Sequence, residues 1–293
     1  MKKGLILEGG ALRALFSAGV IDVMMEHGIV YDGMIGVSAG SAFGCNYKSH
    51  QPGRVIRYNK LLAHDWRFFS FRSWLVTGDY FGGDFDYHYM PAHIDRMDIE
   101  TFTADPMEFH LVCTDLSTGR AVYKQLTGFT ADNYDEVAEW FRASASMPLV
   151  AKVVEIEGHK YLDGGIADSI PLAYFQSLGY DRNVVVETQP DGYVKRPNRL
   201  VPLYRLVYRK YPAFVRASAE RHLMYNRQLA YVREQEQAGR AFVIRPNRLL
   251  PIGHMTHDTR LMDEVYQEGR TTALERMDAL KEFLELRTFS KAR

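Results

Sequence analysis

The sequence predicts an α/β fold: a three-layer α/β/α sandwich around a mainly parallel central sheet. An apolar strand at Leu5–Leu7 is followed by helical spacing of apolar residues from about Ala11 to His27. The pattern then repeats as a strand at Tyr31–Val37 and a helix at Ala39–Lys48. Two such strand–helix units in succession predict parallel strands with helices on the faces of the sheet.

Residues 64–90 interrupt this alternation with an unusually aromatic segment. Ten Phe, Tyr and Trp residues are mixed there with glycines and aspartates. Two interpretations stay open: the segment covers the site as a lid and lines an acyl-chain pocket, or it fills a satellite core beneath a long insertion.

The remaining elements follow in chain order. They are strands at Phe109–Cys113 and Arg120–Lys124, a helix at Asn133–Ser144, a hairpin of Val153–Ile156 and Lys160–Leu162, a helix at Pro171–Leu178, a strand at Asn183–Val186, two helical segments between Pro202 and Gln237, a strand at Phe242–Ile244, and helices from Thr259 to Leu286. Since no repeat or linker separates them, we predict one domain over residues 1–293.

Composition narrows the function classes. Apolar residues make up 46% and charged residues 25% of the chain, and the formal net charge is zero, so overall charge gives no reason to expect a nucleic-acid partner. No segment approaches the roughly 20 apolar residues of a membrane span. We predict a cytoplasmic protein with Cys45 and Cys113 as reduced core cysteines. The sequence leaves its oligomeric state open.

A G-x-S-x-G motif at residues 36–40 directly follows the second strand and carries Ser38. This pattern mounts a nucleophilic serine on a sharp strand-to-helix turn, where Gly36 and Gly40 permit close backbone approach. Upstream, the loop Gly9-Gly10-Ala11-Leu12-Arg13 offers backbone N–H groups at a helix start, where developing negative charge can be held. Its spacing matches neither a dinucleotide-binding loop nor a P-loop.

Ser38 needs a base, and two kinds are available. His254 or His257 would complete a Ser-Asp-His order, but such a nucleophile normally follows several strands, and here at most one strand–helix unit precedes it. The other candidate is Asp163, which enters a turn of two glycines, Gly164 and Gly165. A buried carboxylate within hydrogen-bond reach can accept the serine proton, because burial raises its pKa and makes it a better base.

The glycine loop, the G-x-S-x-G motif and Asp163-Gly164-Gly165, in this order and spacing, resemble the patatin-like phospholipases. The small-residue block at 142–148 ending in Pro148 and the helix after Pro171 agree with that resemblance. The similarity covers about residues 3–190, and a helical extension over about 191–293 resembles bacterial members of the family.

The resemblance implies a Ser38–Asp163 dyad without histidine and no metal or organic cofactor. It also implies an oxyanion hole from the N–H groups around Gly9, Gly10 and Ala11, with Arg13 bracing the loop. Glu8, Ala11 and Ala14 depart from the family pattern, which is richer in glycine, and the Cβ of Ala11 would narrow the hole. We interpret Asp168 as the cap of the helix near Pro171 and the histidines, including His88 and His93, as structural or solvent-facing.

Residues 195–233 contain ten Lys and Arg against a single acidic residue, Glu220. Tyrosines interleave with these charges. The segment is either a basic face for an anionic membrane or an ordinary solvated helix face whose charges pair with acidic regions elsewhere; as a basic patch alone it would also accept nucleic acid.

Taken together, these features predict a serine hydrolase of lipid acyl esters (a phospholipase, lysophospholipase or carboxylesterase). If the basic face at 195–233 is the membrane face, the protein also contacts the inner membrane surface peripherally. Two alternatives remain: an acyltransferase that uses the same acyl-enzyme, and a weakly catalytic lipid-binding or regulatory protein.

Overall fold

The computed structural model describes residues 1–253 and 255–285. Its eight strands form one sheet in the order β5-β6-β3-β2-β1-β7-β8, with β4 paired to β3. The strands are β1 (Lys2–Leu7), β2 (Gly33–Val37), β3 (Glu108–Asp115), β4 (Ala121–Leu126), β5 (Val154–Ile156), β6 (His159–Asp163), β7 (Tyr180–Val186) and β8 (Ala241–Ile244). Strands β3, β2, β1, β7 and β8 run parallel, whereas β4, β5 and β6 join by antiparallel pairing.

Helices lie on both faces of this sheet. They are α1 (Leu15–Glu26), α2 (Ala39–Lys48), α3 (Arg54–Leu62), α4 (Phe71–Thr77), α5 (Met90–His93), α6 (Ile99–Ala104), α7 (Tyr134–Ala145), α8 (Leu172–Ser177), α9 (Val201–Val207), α10 (Pro212–Gln237) and α11 (Thr259–Phe283). Short 3-10 turns occur at Ala11–Ala14, Ala131–Asn133 and Gly164–Ile166, and a π-helical turn at Phe85–Tyr89.

The alternation of side chains along β1 separates the two apolar layers. Leu5 and Leu7 are buried in a core with residues of α1, α2, α7 and α11. Ile6 points to the opposite face and is buried with residues of α8 and α10, since successive strand residues face opposite sides. The predicted three-layer α/β fold is therefore confirmed, with antiparallel strands at one side of the sheet.

The tail after residue 190 shares both the sheet and the core. Strand β8 pairs with β7, and α11 crosses α1 at two glycines. A Cβ on Gly19 would lie 2.1 Å from the carbonyl oxygen of Tyr266, and one on Gly269 would lie 2.0 Å from that of Phe16. Only glycine permits so close a crossing. This packing supports the proposal that the chain forms one domain.

Two expectations about secondary structure were incomplete. Helices α3 to α6, within residues 51–107, were not predicted, because they are short and are fixed by distant contacts. Arg54 of α3, for example, is buried and donates to the backbone carbonyl of Asp95. At the C-terminal end a single helix, α11, replaces the several expected. The predicted end at Leu286 lies outside the described residues.

Candidate active site

Ser38 occupies the turn between β2 and α2. Its φ of 55° and ψ of −126° are strained for a residue with a side chain. The flanking glycines are required by close approach: a Cβ on Gly36 would lie 2.5 Å from the Ser41 nitrogen, and one on Gly40 would lie 2.4 Å from the Leu7 carbonyl oxygen. The expected sharp strand-to-helix turn is present.

Ser144 of α7 stabilises this turn by hydrogen bonds. Its hydroxyl accepts a hydrogen bond from the Ser38 amide at 3.0 Å and one from the Ser41 hydroxyl at 3.2 Å, and it donates to the Val112 carbonyl at 2.7 Å. Ser144 is fully buried. One side chain thus ties the strained turn to α7 and β3.

Strand β3 brings Ser38 and Asp163 together. Strand β2 ends at Val37, which pairs with Val112, and the next residue of β3, Cys113, pairs with Asp163 at the end of β6. Because β4 occupies the other edge of β3 across these positions, β2 and β6 meet end to end along one edge. Val37, which precedes Ser38, and Asp163 are therefore registered against successive residues of one strand.

The two side chains are hydrogen-bonded. The Ser38 hydroxyl donates to Oδ2 of Asp163 at 2.7 Å, and Oδ1 accepts the Gly165 amide at 2.8 Å. The Asp163 amide donates to the carbonyl of Ser146 at 2.8 Å. Both reactive side chains are largely buried, with Ser38 8% and Asp163 6% exposed.

Opposing effects act on the Asp163 carboxyl. Burial raises its pKa, while the positive charges of Arg221 and Lys195 and the hydrogen bonds from Ser38 and Gly165 counteract the rise. Arg221 of α10 donates from Nε to the carbonyl of Gly165. The net result is a carboxylate more basic than an exposed aspartate.

Lys195 stacks with Nζ 4.7 Å from the centre of the Tyr225 ring. Burial, followed by the neighbouring Arg221 charge, lowers its pKa to about 8. Among the ion pairs of the described residues none includes Lys195 or Arg221. The positive charges of Lys195 and Arg221 therefore act on the Asp163 carboxyl without being neutralised in an ion pair.

The glycine loop lies directly against Ser38. A Cβ on Gly9 would lie 2.7 Å from the Val37 carbonyl oxygen and 2.9 Å from the Ser38 Cβ. Within residues 1–253 and 255–285, the amides of Gly9, Gly10 and Ala11 have no hydrogen-bond acceptor. Three N–H groups of this loop are therefore free to donate to a bound group.

Ala11 adopts a left-handed φ of 49° and lines the pocket beside Ser38. Arg13 lies in the 3-10 turn that follows, and its amide closes that turn by donating to the Gly10 carbonyl at 3.1 Å. Its predicted bracing role stays a proposal.

Glu8, directly before the glycine loop, anchors that loop by hydrogen bonds. Its buried carboxylate accepts the Thr188 amide at 2.6 Å and the Tyr225 hydroxyl at 2.5 Å. The Thr188 hydroxyl in turn donates to the Gly9 carbonyl at 3.1 Å. The loop is thereby fixed to the end of β7 and to α10.

A mostly apolar pocket extends from Ser38 beneath residues 64–90. Its apolar lining includes Leu12, Phe43, Phe68, Phe69, Phe81, Tyr87, Met90, Phe129 and Phe141. Phe68 and Phe69 belong at the same time to the main core. The aromatic segment thus lines a pocket and fills a core, so both interpretations hold in part. Whether the segment moves as a lid stays untested.

Other predicted residues lie apart from the dyad. His257 contacts the Ala63 carbonyl through Nδ1 at 2.5 Å and stacks on Phe69 at 4.5 Å. His254 lies outside the described residues. His88 sits between Asp135 and Glu139.

The expected cap at Asp168 is wrong. Its carboxylate accepts from Tyr123 and Gln228 instead, and α8 has no side-chain cap. The competing donors are distant in sequence, which is why the local pattern misled. Cys45 and Cys113 are buried free thiols, as predicted, and burial raises the pKa of both.

The sequence reasoning missed four contributors: Ser144, Ser146, Lys195 and Arg221. The first two lie in the small-residue block that had been noted for its resemblance alone. The sequence pattern places the two basic residues on a surface face of the 195–233 segment, and no local signal connects them to Asp163.

Among the described residues no helix is long and apolar enough to span a membrane.

Comparisons with known proteins show which family the sequence matches. The sequence model of patatin-like phospholipases matches residues 5–175, and that of a domain of unknown function (DUF6363) matches residues 211–285. Lysophospholipase NTE1 of Coccidioides immitis is 28% identical over 95% of this chain and 18% of its own length. Lysophospholipase nte1 of Aspergillus niger is 30% identical over 61% of this chain and 11% of its own length.

The chain thus spans less than a fifth of these curated relatives. Among solved structures, VipD from Legionella pneumophila is similar with a TM-score of 0.47 and 11% identity, over 95% of this chain and 67% of that one.

Proposed function

The chain belongs to the patatin-like phospholipase family, and on that premise we propose that it is a serine hydrolase of lipid acyl esters with a Ser38–Asp163 dyad. The observation that carries the proposal is the 2.7 Å hydrogen bond from the Ser38 hydroxyl to Asp163 Oδ2. A nucleophile and a base within this distance are poised for direct proton transfer.

In the first half-reaction, Ser38 Oγ attacks the ester carbonyl carbon and its proton passes to Asp163. The amides of Gly9, Gly10 and Ala11 stabilise the oxyanion of the tetrahedral intermediate. When the intermediate collapses, the alcohol leaves with the proton from Asp163. An acyl-enzyme on Ser38 remains.

In the second half-reaction, water attacks the acyl carbonyl while Asp163 again accepts a proton. Collapse of the second intermediate releases the carboxylic acid and returns the proton to Ser38 Oγ. Burial raises the pKa of Asp163, which suits a carboxylate that must accept and return a proton twice per cycle.

The pocket favours a long acyl chain. The lining of the pocket that contains Ser38 is mostly aromatic and aliphatic, so a hydrocarbon chain would lie along it and exclude water. The relatives named lysophospholipase support a lysophospholipid as substrate. A phospholipid or a simpler acyl ester fits the same pocket.

A labelling and turnover experiment tests this proposal. We expect a fluorophosphonate to label the wild type and not Ser38→Ala, and Ser38→Ala and Asp163→Asn each to lower kcat for p-nitrophenyl esters on the order of 10³-fold or more. His257→Gln keeps a donor near Ala63 and serves as the control, with most activity retained. Loss of activity in the control would restore a histidine base and overturn the dyad.

The same assay separates the remaining alternatives. If Ser38 does not label while the folded protein binds lipid vesicles, the chain is a lipid-binding protein rather than an enzyme. Transfer of the acyl group to an added alcohol in preference to water would identify an acyltransferase. A series of ester chain lengths, followed by lysophospholipids, identifies the preferred substrate.

A further inference from the structure

Two short helices expose rows of large apolar side chains. On α9, Leu203, Leu206 and Val207 share one face, and Leu206 is 68% exposed. The opposite face of α9 carries Tyr204 and Tyr208, which are buried. Spacing of three and four residues thus gives α9 one face in the core and one apolar face in solvent.

Helix α4 has the same character. Phe71, Leu75 and Val76 are each more than 60% exposed, and Trp74 is partly exposed. Rings of Phe71 and Trp74 pack together at 5.4 Å. Neither helix buries this face against the rest of the described chain, and single exposed apolar residues are normal whereas such groups are not.

Leu149 contacts residues of both helical segments. The Trp74 indole donates from Nε1 to the Leu149 carbonyl at 3.2 Å, and the Leu149 amide donates to the Tyr208 hydroxyl at 3.0 Å. The Tyr80 amide also donates to the Val150 carbonyl at 2.7 Å. Helices α4 and α9 therefore flank the loop of residues 146–151.

This loop also lines the pocket of the dyad. Ser146, Met147 and Ala151 are among the residues that enclose it together with Ser38. Helices α4 and α9 therefore lie beside a loop that encloses the pocket of Ser38.

The charged side chains on and just after α9 are of one sign. Arg205, Arg209 and Lys210 are exposed, and among ion pairs of the described residues the segment 195–233 contributes Arg233 with Asp191. The sequence has no Asp or Glu between Asp191 and Glu220, and none in α4. Unpaired cations beside exposed apolar residues complement an anionic lipid surface better than a typical protein partner.

We propose that α4 and α9 form a membrane-docking surface that inserts its apolar side chains at the interface of an anionic bilayer, with Arg205, Arg209 and Lys210 on the headgroups. The proposal rests on the proposed lipid hydrolysis and specifies where the substrate is met. It restricts docking to part of the 195–233 segment, because Lys195 and Arg221 lie at the dyad instead. Helix α4, outside that segment, becomes a partner of α9.

Vesicle flotation tests the surface. We expect the wild type to float with phosphatidylcholine vesicles containing phosphatidylglycerol and much less with phosphatidylcholine alone. The double variant Leu75→Glu/Leu206→Glu should lower binding at least about tenfold, since it places two charges in the interface. Leu274→Glu on α11, where the leucine is 50% exposed, is the matched control and should bind as the wild type.

Hydrolysis assays separate this proposal from the proposed function. Turnover of a soluble p-nitrophenyl butyrate should be equal in wild type, double variant and control, whereas hydrolysis of vesicle-borne lipid should fall in the double variant alone. Undiminished flotation of the double variant would overturn the docking surface while leaving the dyad intact. Absence of ester hydrolysis in the wild type would overturn the enzyme while flotation still reported on the surface.

A protein interface is the competing use of these helices. If the wild type does not float and sedimentation shows a dimer that the double variant dissociates, the surface joins two copies of the chain. That result overturns the membrane assignment.

Discussion

The nucleophile turn and the base turn of the candidate site are held in different ways. Ser38 is fixed by backbone geometry and by Ser144, all within the residues that the family model matches. Asp163 is fixed by backbone too, but its charge is balanced by Arg221 and Lys195, which lie beyond the matched residues. The positions of Ser38 and Asp163 are thus set by residues that the patatin-like model matches, 5–175. The pKa of Asp163 is also influenced by residues after that range.

Loss of the support at Ser38 and loss of a cation near Asp163 should have different effects on activity. A strained turn that loses its support changes shape, and misplacement of a nucleophile lowers the rate at every pH. A carboxylate that loses a nearby cation stays in place but titrates at another pH. Substitutions at the two turns should therefore have distinguishable signatures.

Among the residues that support the two turns, the largest effect is expected at Ser144. Ser144→Ala removes the acceptor of the buried Ser38 amide, and a buried donor without a partner costs about 1–3 kcal/mol. We expect denaturant unfolding to show that loss, and kcat to fall about 10- to 100-fold as Ser38 shifts.

Ser146→Ala is the control for this substitution. The Ser146 hydroxyl donates to the Arg142 carbonyl and not to the turn at Ser38. Removing this hydroxyl should therefore lower the free energy of unfolding with a smaller change in kcat. Equal kcat in both variants would mean that Ser144 does not hold the nucleophile.

An intermediate effect is expected at Arg221. Asp163 must be ionised to accept a proton, so activity is lost as pH falls through its pKa. Arg221→Gln removes a cation that holds this pKa down, and the acidic limb of the kcat/KM profile should move to higher pH with the plateau largely kept.

Arg227→Gln, an exposed position on the same helix, should leave the limb where it is. If Arg221→Gln instead lowers activity equally at all pH values, Arg221 positions the base turn rather than tuning its charge.

The smallest effect is expected at Ala11. Glycine removes the cost of a left-handed φ of 49° but adds freedom to the unfolded chain, and the two effects together leave stability within about 1 kcal/mol. Thermal unfolding checks this sum. Activity on bulky acyl esters should rise relative to short ones if the Ala11 Cβ narrows the hole, and an unchanged ratio would remove Ala11 as a determinant of selectivity.

Much of the fold could be predicted because its signals are local. Apolar runs followed by helical spacing predict the central strands and α2. Gly36 and Gly40 predict the sharp turn at Ser38. Asp163 could be selected because a strand delivers it into two glycines. The structure brings Asp163 and Ser38 into hydrogen-bond contact, as that reasoning expected.

The remainder depends on contacts that no local pattern encodes. Lys195 and Arg221 reach Asp163 only after the tail has added β8 to the sheet and α10 has packed on its face. Asp168 looked like a helix cap until Tyr123 and Gln228 supplied better donors. Short helices such as α4 have too few residues for a clear helical period in the sequence.

The end-to-end meeting of β2 and β6 on β3 has a consequence for how such a protein can diversify. Because Val37 and Asp163 are registered against adjacent residues, Val112 and Cys113, the distance between nucleophile and base is set by a single strand. The chain between α2 and β3 can lengthen, shorten or change composition without altering that distance. Residues 49–107 can therefore change part of the pocket lining without moving Ser38 relative to Asp163, whereas an insertion of one residue between Val112 and Cys113 would separate the two.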